Sequence, residues 1–539
     1  MKLGAWMAMA ALCGAVGSID DATAGGLFLP GSGAVSTSRA GAAVASTSDG
    51  EALGLNPAGL AKSTGTTITL SMAIIDYAMR FSRRGQYDYI DNDDQAWEGR
   101  AYPVVEQDAK PPLALGSYQP VPVFAITTDL GGAVPGLTIG AGVYAPNSYP
   151  FRELCTRTSN GCERYEFNVD VDQAPSPARY DIVSQDAVLF MPSFAASYRV
   201  VPELDIGARV GIGFAHLKSE INVWSSPGNV VENVKKDGLF SVDVKDNFVP
   251  GFGFGVAYRP TPYLEIGANY TSSLTLDAKG NAHAELGSEA GATGVDVEVG
   301  PVDDEAARCA PGGTTARQAA CVTLEIPQTA TIGARYKFLD AAGVEKGDIE
   351  LNLGWENWGA ERATDFLVVI DAQLLVNGTP SLSLKDNIVS HGFQDTFSAR
   401  LGGSYRFPVG ESTVIARGGV GYDTAAAKPG WLRADIDGAA RTTVTVGAGY
   451  RTKRFEINIG GGAVLEGTND NEGECNPTSS LPSMLGCNGD GVEDPIEDRR
   501  GPDPINPLNN PDAQLQAPVN HGVFKSHYVL FMLGASTWF

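Results

Sequence analysis

The sequence predicts an all-β protein, a 14-stranded antiparallel transmembrane β-barrel, and three observations carry that prediction. The chain opens with an export signal, yet holds no later apolar run long enough for a membrane helix. Fourteen segments alternate apolar and polar residues with period two. The connections between them are alternately short and long, and the last segment ends on Phe539.

Composition narrows the field first. The 539 residues carry Lys+Arg 39 against Asp+Glu 63, a net charge of −24, which argues against nucleic acid as a partner. At 43 % hydrophobic and 19 % charged, the chain is too apolar for a disordered one. Its 65 glycines, set among β-branched and aromatic residues, argue against a helical protein.

Residues 1–24 read as a cleaved signal peptide. Lys2 gives the positive start, Leu3 to Val16 the apolar core, and Ala22-Thr23-Ala24 the small-x-small cleavage site. The apolar core is too short to span a membrane as a helix. Cys13 follows Leu12, not the small residue that lipidation needs.

The remaining six cysteines come as close pairs, Cys155/Cys162, Cys309/Cys321 and Cys475/Cys487, each in a loop-like stretch. In an oxidising compartment such pairs read as local disulfides. Zinc would prefer Cys-x-x-Cys spacing with histidine partners, and no histidine lies near them, so no metal site is expected there.

The strand segments lie near 66–84, 112–130, 135–150, 184–201, 203–224, 246–260, 262–283, 322–338, 347–371, 393–407, 411–425, 438–452, 454–468 and 525–539. In the fifth, Leu204, Ile206, Ala208, Val210 and Ile212 share one face, opposite Asp205, Gly207, Arg209 and Gly211. A soluble sandwich would solvate the charged face, whereas a membrane barrel turns the apolar face to lipid. Short turns such as Val201-Pro202 follow even segments and long loops follow odd ones, the bacterial outer-membrane pattern. All three cysteine pairs fall on the long-loop, extracellular side. The closing strand, Tyr528 to Phe539, looks like the signal read by the barrel assembly machinery. If Val529, Phe531, Leu533 and Phe539 face lipid, then Tyr528, Leu530, Met532 and Trp538 face inward, as suits an apolar tunnel or an internal plug.

Residues 25–62 are rich in Gly and Ala and poor in charge. As a tail they would leave Leu27, Phe28, Leu29, Leu53, Leu55 and Leu60 in water, so a plug within the lumen is the better reading. Asn56-Pro57 starts a turn, and the Ala-rich run before it suits a short helix.

Arg39-Ala40-Gly41 and Asn56-Pro57-Ala58 precede the first strand. Downstream lie Ile326-Pro327-Gln328-Thr329-Ala330-Thr331-Ile332-Gly333, Trp355-Glu356-Asn357-Trp358, and Gly419-Val420-Gly421-Tyr422-Asp423 with Asp437 and Arg441. In order and spacing these resemble the FadL/TodX-type family of outer-membrane hydrocarbon transporters, over essentially the whole mature chain. The resemblance implies a monomeric 14-stranded barrel over 63–539 with an N-terminal hatch, 25–62, inside its lumen. It implies uptake of hydrophobic small molecules, fatty acids or similar lipophiles, and no enzymatic role. Capture at extracellular loops would be followed by an internal pocket beside the hatch and lateral exit through a kinked third strand into outer-membrane lipid.

On that reading Leu27, Phe28, Leu53, Leu55, Met532 and Trp538 are candidates for the substrate pocket, and Asn56, Pro57 and Ala58 form the hatch turn. Gly140, Gly142, Pro146 and Pro150 are candidates for the lateral gate, since Pro cannot donate to a ladder. The competing reading is that Pro146 and Pro150 simply end the strand above the membrane.

The loops depart from the fatty acid transporters. Glu466 to Asn520 carries a net −9 and Gly85 to Lys110 a net −5, which would repel a carboxylate unless Arg152, Arg157 and Arg164 offset them. Neutral hydrocarbons are therefore open as substrates. The stretch Asn488 to Asp494, including Asp490, has the composition of a calcium loop but not the EF-hand spacing, so a solvated acidic loop is favoured and no cofactor is expected. A general or structural porin is the rival class. A lipid hydrolase is the weaker one, since His216, His283, His391, His521 and His527 lack a partner motif.

Overall fold

The computed structural model describes residues 28–87, 89, 95–110, 117–146, 151–167, 173–223, 233–289, 296–302, 308–309, 318–383, 387–428, 431–471 and 522–539. The signal segment, Leu27, Pro150, Cys475, Cys487 and the calcium-like stretch at Asp490–Asp494 lie outside the described residues.

Fourteen strands make one closed antiparallel barrel. They are β1 (Thr66–Arg83), β2 (Ser117–Thr128), β3 (Leu137–Tyr144), β4 (Ser184–Val201), β5 (Leu204–Val223) and β6 (Gly238–Tyr258). Two strands follow in two pieces each, β7 (Leu264–Thr271, Leu274–Leu286) and β8 (Ala319–Ile326, Thr329–Leu339). The wall continues with β9 (Glu345–Glu356, Asp365–Ile370), β10 (Asn387–Ser390, Thr396–Val409), β11 (Ser412–Asp423), β12 (Arg441–Arg451), β13 (Phe455–Glu466) and β14 (Gly522–Trp538). Each pairs with its sequence neighbours. β14 returns to β1 from Thr67↔Trp538 to Arg83↔Gly522, which satisfies the ladder that hydrocarbon could not hydrate.

The predicted segments match these strands to within a few residues, apart from the starts of β6 and β10, the latter at Asn387 rather than 393, and the end of β3. β6 starts at Gly238 rather than near 246, because a bulge opposite Gly213 and Ala215 shifts the parity between Asp246 and Val249. β3 stops at Tyr144 rather than running to 150.

Outward positions are apolar and exposed, as lipid contact requires. Tyr198, Tyr258, Tyr336, Tyr405, Tyr450 and Phe455 form an aromatic girdle beside the short periplasmic turns. Inward positions in the periplasmic half are polar yet buried, among them Asp205, Arg209, Glu265, Arg335, Asp348 and Glu350. What buries them is the N-terminal segment, two short helices, α1 (Ala34–Thr37) and α2 (Ala52–Leu55), then a 3₁₀ turn, Pro57–Lys62.

Glycines on the wall make room for it. A Cβ at Gly207 would lie 2.4 Å from Ala58 N, and one at Gly255 only 1.9 Å from Asn56 Oδ1. At Gly267 it would meet Val44 O at 2.5 Å. The inward glycines of β5 to β7 are thus the footprint of the segment on the wall.

The loop between β11 and β12 also folds inward, with Ala425–Ala427, Leu432, Ala434, Ile436, Ala439 and Ala440 buried. Leu432 and Ala434 join a core with Leu29, Ala34, Tyr77, Tyr528, Leu530 and Met532. The disulfides Cys155–Cys162 and Cys309–Cys321 are formed as the sequence suggests, the first across a small loop hairpin.

Candidate functional site

The N-terminal segment is fixed to the wall by polar side chains. Asn56 caps the 3₁₀ turn, its Oδ1 accepting from Ala58 N at 3.1 Å. Its amide donates to Val44 O at 2.8 Å and to Val256 O on β6 at 3.1 Å. Ser197 Oγ on β4 donates to Ala58 O at 3.0 Å. Asn56, Pro57 and Ala58 therefore form a turn clasped by β4 to β6, with Pro57 at a position that needs no backbone N–H.

Buried ions hold the opposite side. Arg39 donates through Nη1 and Nη2 to the two Asp348 oxygens at 3.1 and 2.9 Å, and Nη2 reaches Glu350 at 3.2 Å. Ala45 N donates to the other Glu350 oxygen at 2.8 Å, and Lys62 meets Glu265 at 2.6 Å. Within the segment, Glu51 accepts from Val35 N, Ser36 N, Ser36 Oγ and Ser71 Oγ on β1. Burial, reinforced by Asp49, pushes Glu51 up to about 7 despite these donors, and burial raises Asp49 as well.

The docked segment consequently binds a proton more tightly than the released one. Its docking is strongest below about pH 4.5 and weakens as pH rises to about 7. Protease protection of residues 28–62 in detergent should fall across that window, and Glu51→Gln should flatten the profile. Protection that rises with pH would contradict the assignment.

Above the segment lies a cavity of about 660 Å³, of a size that holds a small lipophile. Its walls are the inward apolar residues of β4 to β9, including Leu189, Ala215, Phe240, Leu276, Val322 and Val368. The inturned β11–β12 loop supplies the ceiling through Arg433, Asp435 and Ile436, beside Asp181. A second, more polar space of about 180 Å³ lies below it, between the wall and Phe28, Leu29, Val44 and Leu55. Ala145, Pro146 and Ile326 border both spaces.

The ladder is interrupted beside the cavity, among the described residues. β3 pairs with β2 from Val123↔Tyr144 downward and with β4 from Tyr144↔Met191 downward. Above that level the described residues of β3 give no partner to Ser117–Pro122 of β2 or to 186–190 of β4. The last contact is Ala145 N donating to Pro122 O at 3.4 Å. N–H and C=O of one residue point to the same side of an antiparallel strand, so the N–H missing from Pro122 would also have faced β3. Pro120, two residues away, presents the same side. The cavity lining here takes in consecutive residues, Gln119 to Pro122 and Ala187 to Phe190, of which Val188 and Phe190 face outward.

The sequence-predicted site residues divide among these places. Phe28 and Leu55 line the lower space, and Pro146 borders both. Leu53 is fully buried against Leu60, Ala125 and Ala195, and Met532 lies in the core below the loop ceiling, so neither lines the cavity. Trp538 is at the periplasmic rim, donating to Lys453 O at 2.6 Å under Arg451, far from the apolar cavity. Gly140 and Gly142 sit in the closed part of the ladder, opposite Thr127 and Ala125. Arg152 is buried and donates to Asp435 O at 2.9 Å, whereas Arg157 and Arg164 pair with Glu106 and Asp108 outside. The cavity walls escaped the sequence reading, although one signal was present. In Leu274-Thr275-Leu276-Asp277-Ala278 the inward parity is apolar, while in the lower strands it is polar.

Residues 16–466 match the model of the outer membrane protein transport protein family (OMPP1/FadL/TodX). No functionally curated protein matches the chain in sequence. Among solved structures, a Pseudomonas aeruginosa FadL homologue is similar at TM-score 0.64 and 17 % identity, covering 95 % of this chain and 100 % of that one. The Ralstonia pickettii toluene transporter TbuX gives 0.56 at 15 %, covering 95 % and 99 %. The Pseudomonas putida toluene transporter TodX gives 0.54 at 15 %, covering 96 % and 100 %. At these identities the structures speak for the barrel fold, and the family match speaks for kinship. The chain belongs to the OMPP1/FadL/TodX family of outer-membrane transport proteins, and it is a channel rather than an enzyme.

Proposed function

We propose that this barrel takes up hydrophobic small molecules through the apolar cavity and releases them sideways into the membrane between β2 and β4. The observation that carries this reading is the coincidence of the cavity with the unpaired stretch of wall beside Pro120 and Pro122. A water-filled porin would present a polar lumen at that height, whereas Leu189, Phe240, Leu276 and Val322 present hydrocarbon. The N-terminal segment acts as the floor, closing the polar periplasmic half to ions. Lipophiles captured between the extracellular loops descend into the cavity and leave at the gap, without crossing the charged layer at Arg39, Asp348 and Glu350.

The test fills the cavity. Ala215→Trp with Ala278→Trp places two indoles in the space from buried lining positions. Cellular uptake of a fluorescent lipophile should fall by at least about fivefold while the heat-modifiable gel band of the folded barrel persists. Undiminished uptake with the cavity filled would remove the reading.

A further inference from the structure

The ceiling of the cavity contains one cation that is incompletely used. Arg433 donates through Nε to Asp435 Oδ1 at 3.0 Å and through Nη2 to Asp435 Oδ2 at 3.1 Å. Its Nη1 stands 3.9 Å from Asp181 Oδ1, beyond hydrogen-bond reach, and has no other hydrogen-bond partner among the described residues. Asp181 is 5 % exposed; its Oδ2 accepts from Ala434 N at 2.8 Å, but Oδ1 has no hydrogen-bond partner among the described residues. A buried donor and a buried acceptor thus face each other across a gap, both on residues that line a largely apolar cavity.

Charge decides what can fill that gap. Asp181 and Asp435 set two carboxylates against the single guanidinium of Arg433, and His391 donates or accepts at Asp435 Oδ2 at 3.0 Å. Burial pushes the Asp181 carboxyl up to about 7. With Asp181 ionised the cluster is already negative, and with it protonated Arg433 and Asp435 cancel. In neither state does Arg433 keep an uncompensated charge for an incoming carboxylate, which would be buried without a partner inside the cavity. Two further guanidiniums act on the cluster from outside the cavity: Arg83 acts electrostatically on Asp181, and Arg152 Nε donates to Asp435 O at 2.9 Å. Arg83 lies over Tyr102, and Arg152 lies over Tyr77 while facing Asp437 and Glu466; neither lines the cavity. His216, at the cavity edge, is paired with Asp243 at 2.7 Å.

We propose that Arg433 Nη1 and Asp181 Oδ1 form a polar anchor that selects neutral lipophiles ending in a hydroxyl, such as long-chain alcohols. A hydroxyl oxygen accepts from Arg433 while its hydrogen goes to Asp181, so one atom bridges both unmet groups. A carboxylate can accept but not donate, and an alkane does neither. This rests on the cavity being the transport site.

The probes are 1-dodecanol, dodecanoate and dodecane, and the readout is displacement of an environment-sensitive apolar dye from the purified full-length protein at pH 8. For the unaltered protein, 1-dodecanol should bind about tenfold more tightly than dodecane, the worth of one net hydrogen bond, and more tightly than dodecanoate. Arg433→Leu should bring dodecanol down to the dodecane level. Asp181→Asn with Asp435→Asn leaves Arg433 without carboxylate partners and should reverse the order of dodecanol and dodecanoate. These near-isosteric amides also carry the test should Arg433→Leu fail to fold. A preference for dodecanoate in the unaltered protein, or an order unchanged in the double amide variant, would overturn the anchor. If all three probes bind equally and Ala215→Trp with Ala278→Trp abolishes that binding, the anchor alone fails. If those indoles leave binding intact, the cavity reading fails with it.

Discussion

Deleting residues 28–62 will turn this barrel into an open pore. In planar bilayers the shortened protein should conduct roughly tenfold or more above the full-length chain, since a 14-stranded wall without filling encloses a water-accessible lumen. The wall should still assemble, because all fourteen strands pair with one another and the closure of β1 on β14 uses nothing from the segment. What the deletion exposes is the ring of Asp205, Glu265, Arg335, Asp348 and Glu350, groups that hydrate readily once the segment is gone. Single-channel recording decides the matter. Conductance unchanged by the deletion would mean that the inturned β11–β12 loop, with its buried Ala425–Ala427, seals the lumen by itself.

The second large effect is expected at Arg39. Arg39→Ala leaves Asp348 and Glu350 buried beside one another, with Arg335, at 2.7 Å from Asp348, as the cation that remains in contact with Asp348 and the Ser404 hydroxyl donating beside it. Removing one partner from such a buried cluster costs about 3–5 kcal/mol, because the remaining charge keeps its desolvation penalty. Here that cost falls on docking of the N-terminal segment rather than on the wall, so the released population should rise by about two to four orders of magnitude. Limited proteolysis should then cut within residues 28–62 while the barrel band survives. Adding Glu350→Gln to Arg39→Ala removes one orphaned charge and should restore part of the protection. Full protection in Arg39→Ala alone would show that the glycine-lined fit at Gly207, Gly255 and Gly267 holds the segment without its ions.

Much of the wall could be read from the chain because its grammar is local. Alternation such as Leu204 to Ile212 requires only that one face meet lipid and the other meet the lumen, and it survives without long-range information. Asn56-Pro57-Ala58 was legible for the same reason, since a capping side chain followed by Pro declares its own turn. Trp538 shows the limit of that grammar. Parity turns it inward, but height along the strand, which parity does not encode, places it at the periplasmic rim. The cavity and its ceiling depend on contacts between residues hundreds of positions apart, such as Arg39 with Asp348 or Ala434 with Asp181. Nothing in Thr424 to Ala440 distinguishes an inturned loop from an ordinary one except its unusual share of alanines. The early end of β3 was hinted at by Pro146, but Pro120 and Pro122 on the neighbouring strand were the more telling residues.

Those two prolines also bear on how the margin of β2 can go without a ladder partner among the described residues. Bare strand edges invite company, since their unspent amides recruit any passing extended chain, and in hydrocarbon each unspent amide hydrogen carries a penalty of several kcal/mol. At Pro120 and Pro122 the hydrogens that would have been left over were never installed. The margin of β2 therefore offers little for a foreign strand to grip and little for lipid to reject, which suits the sideways release proposed above.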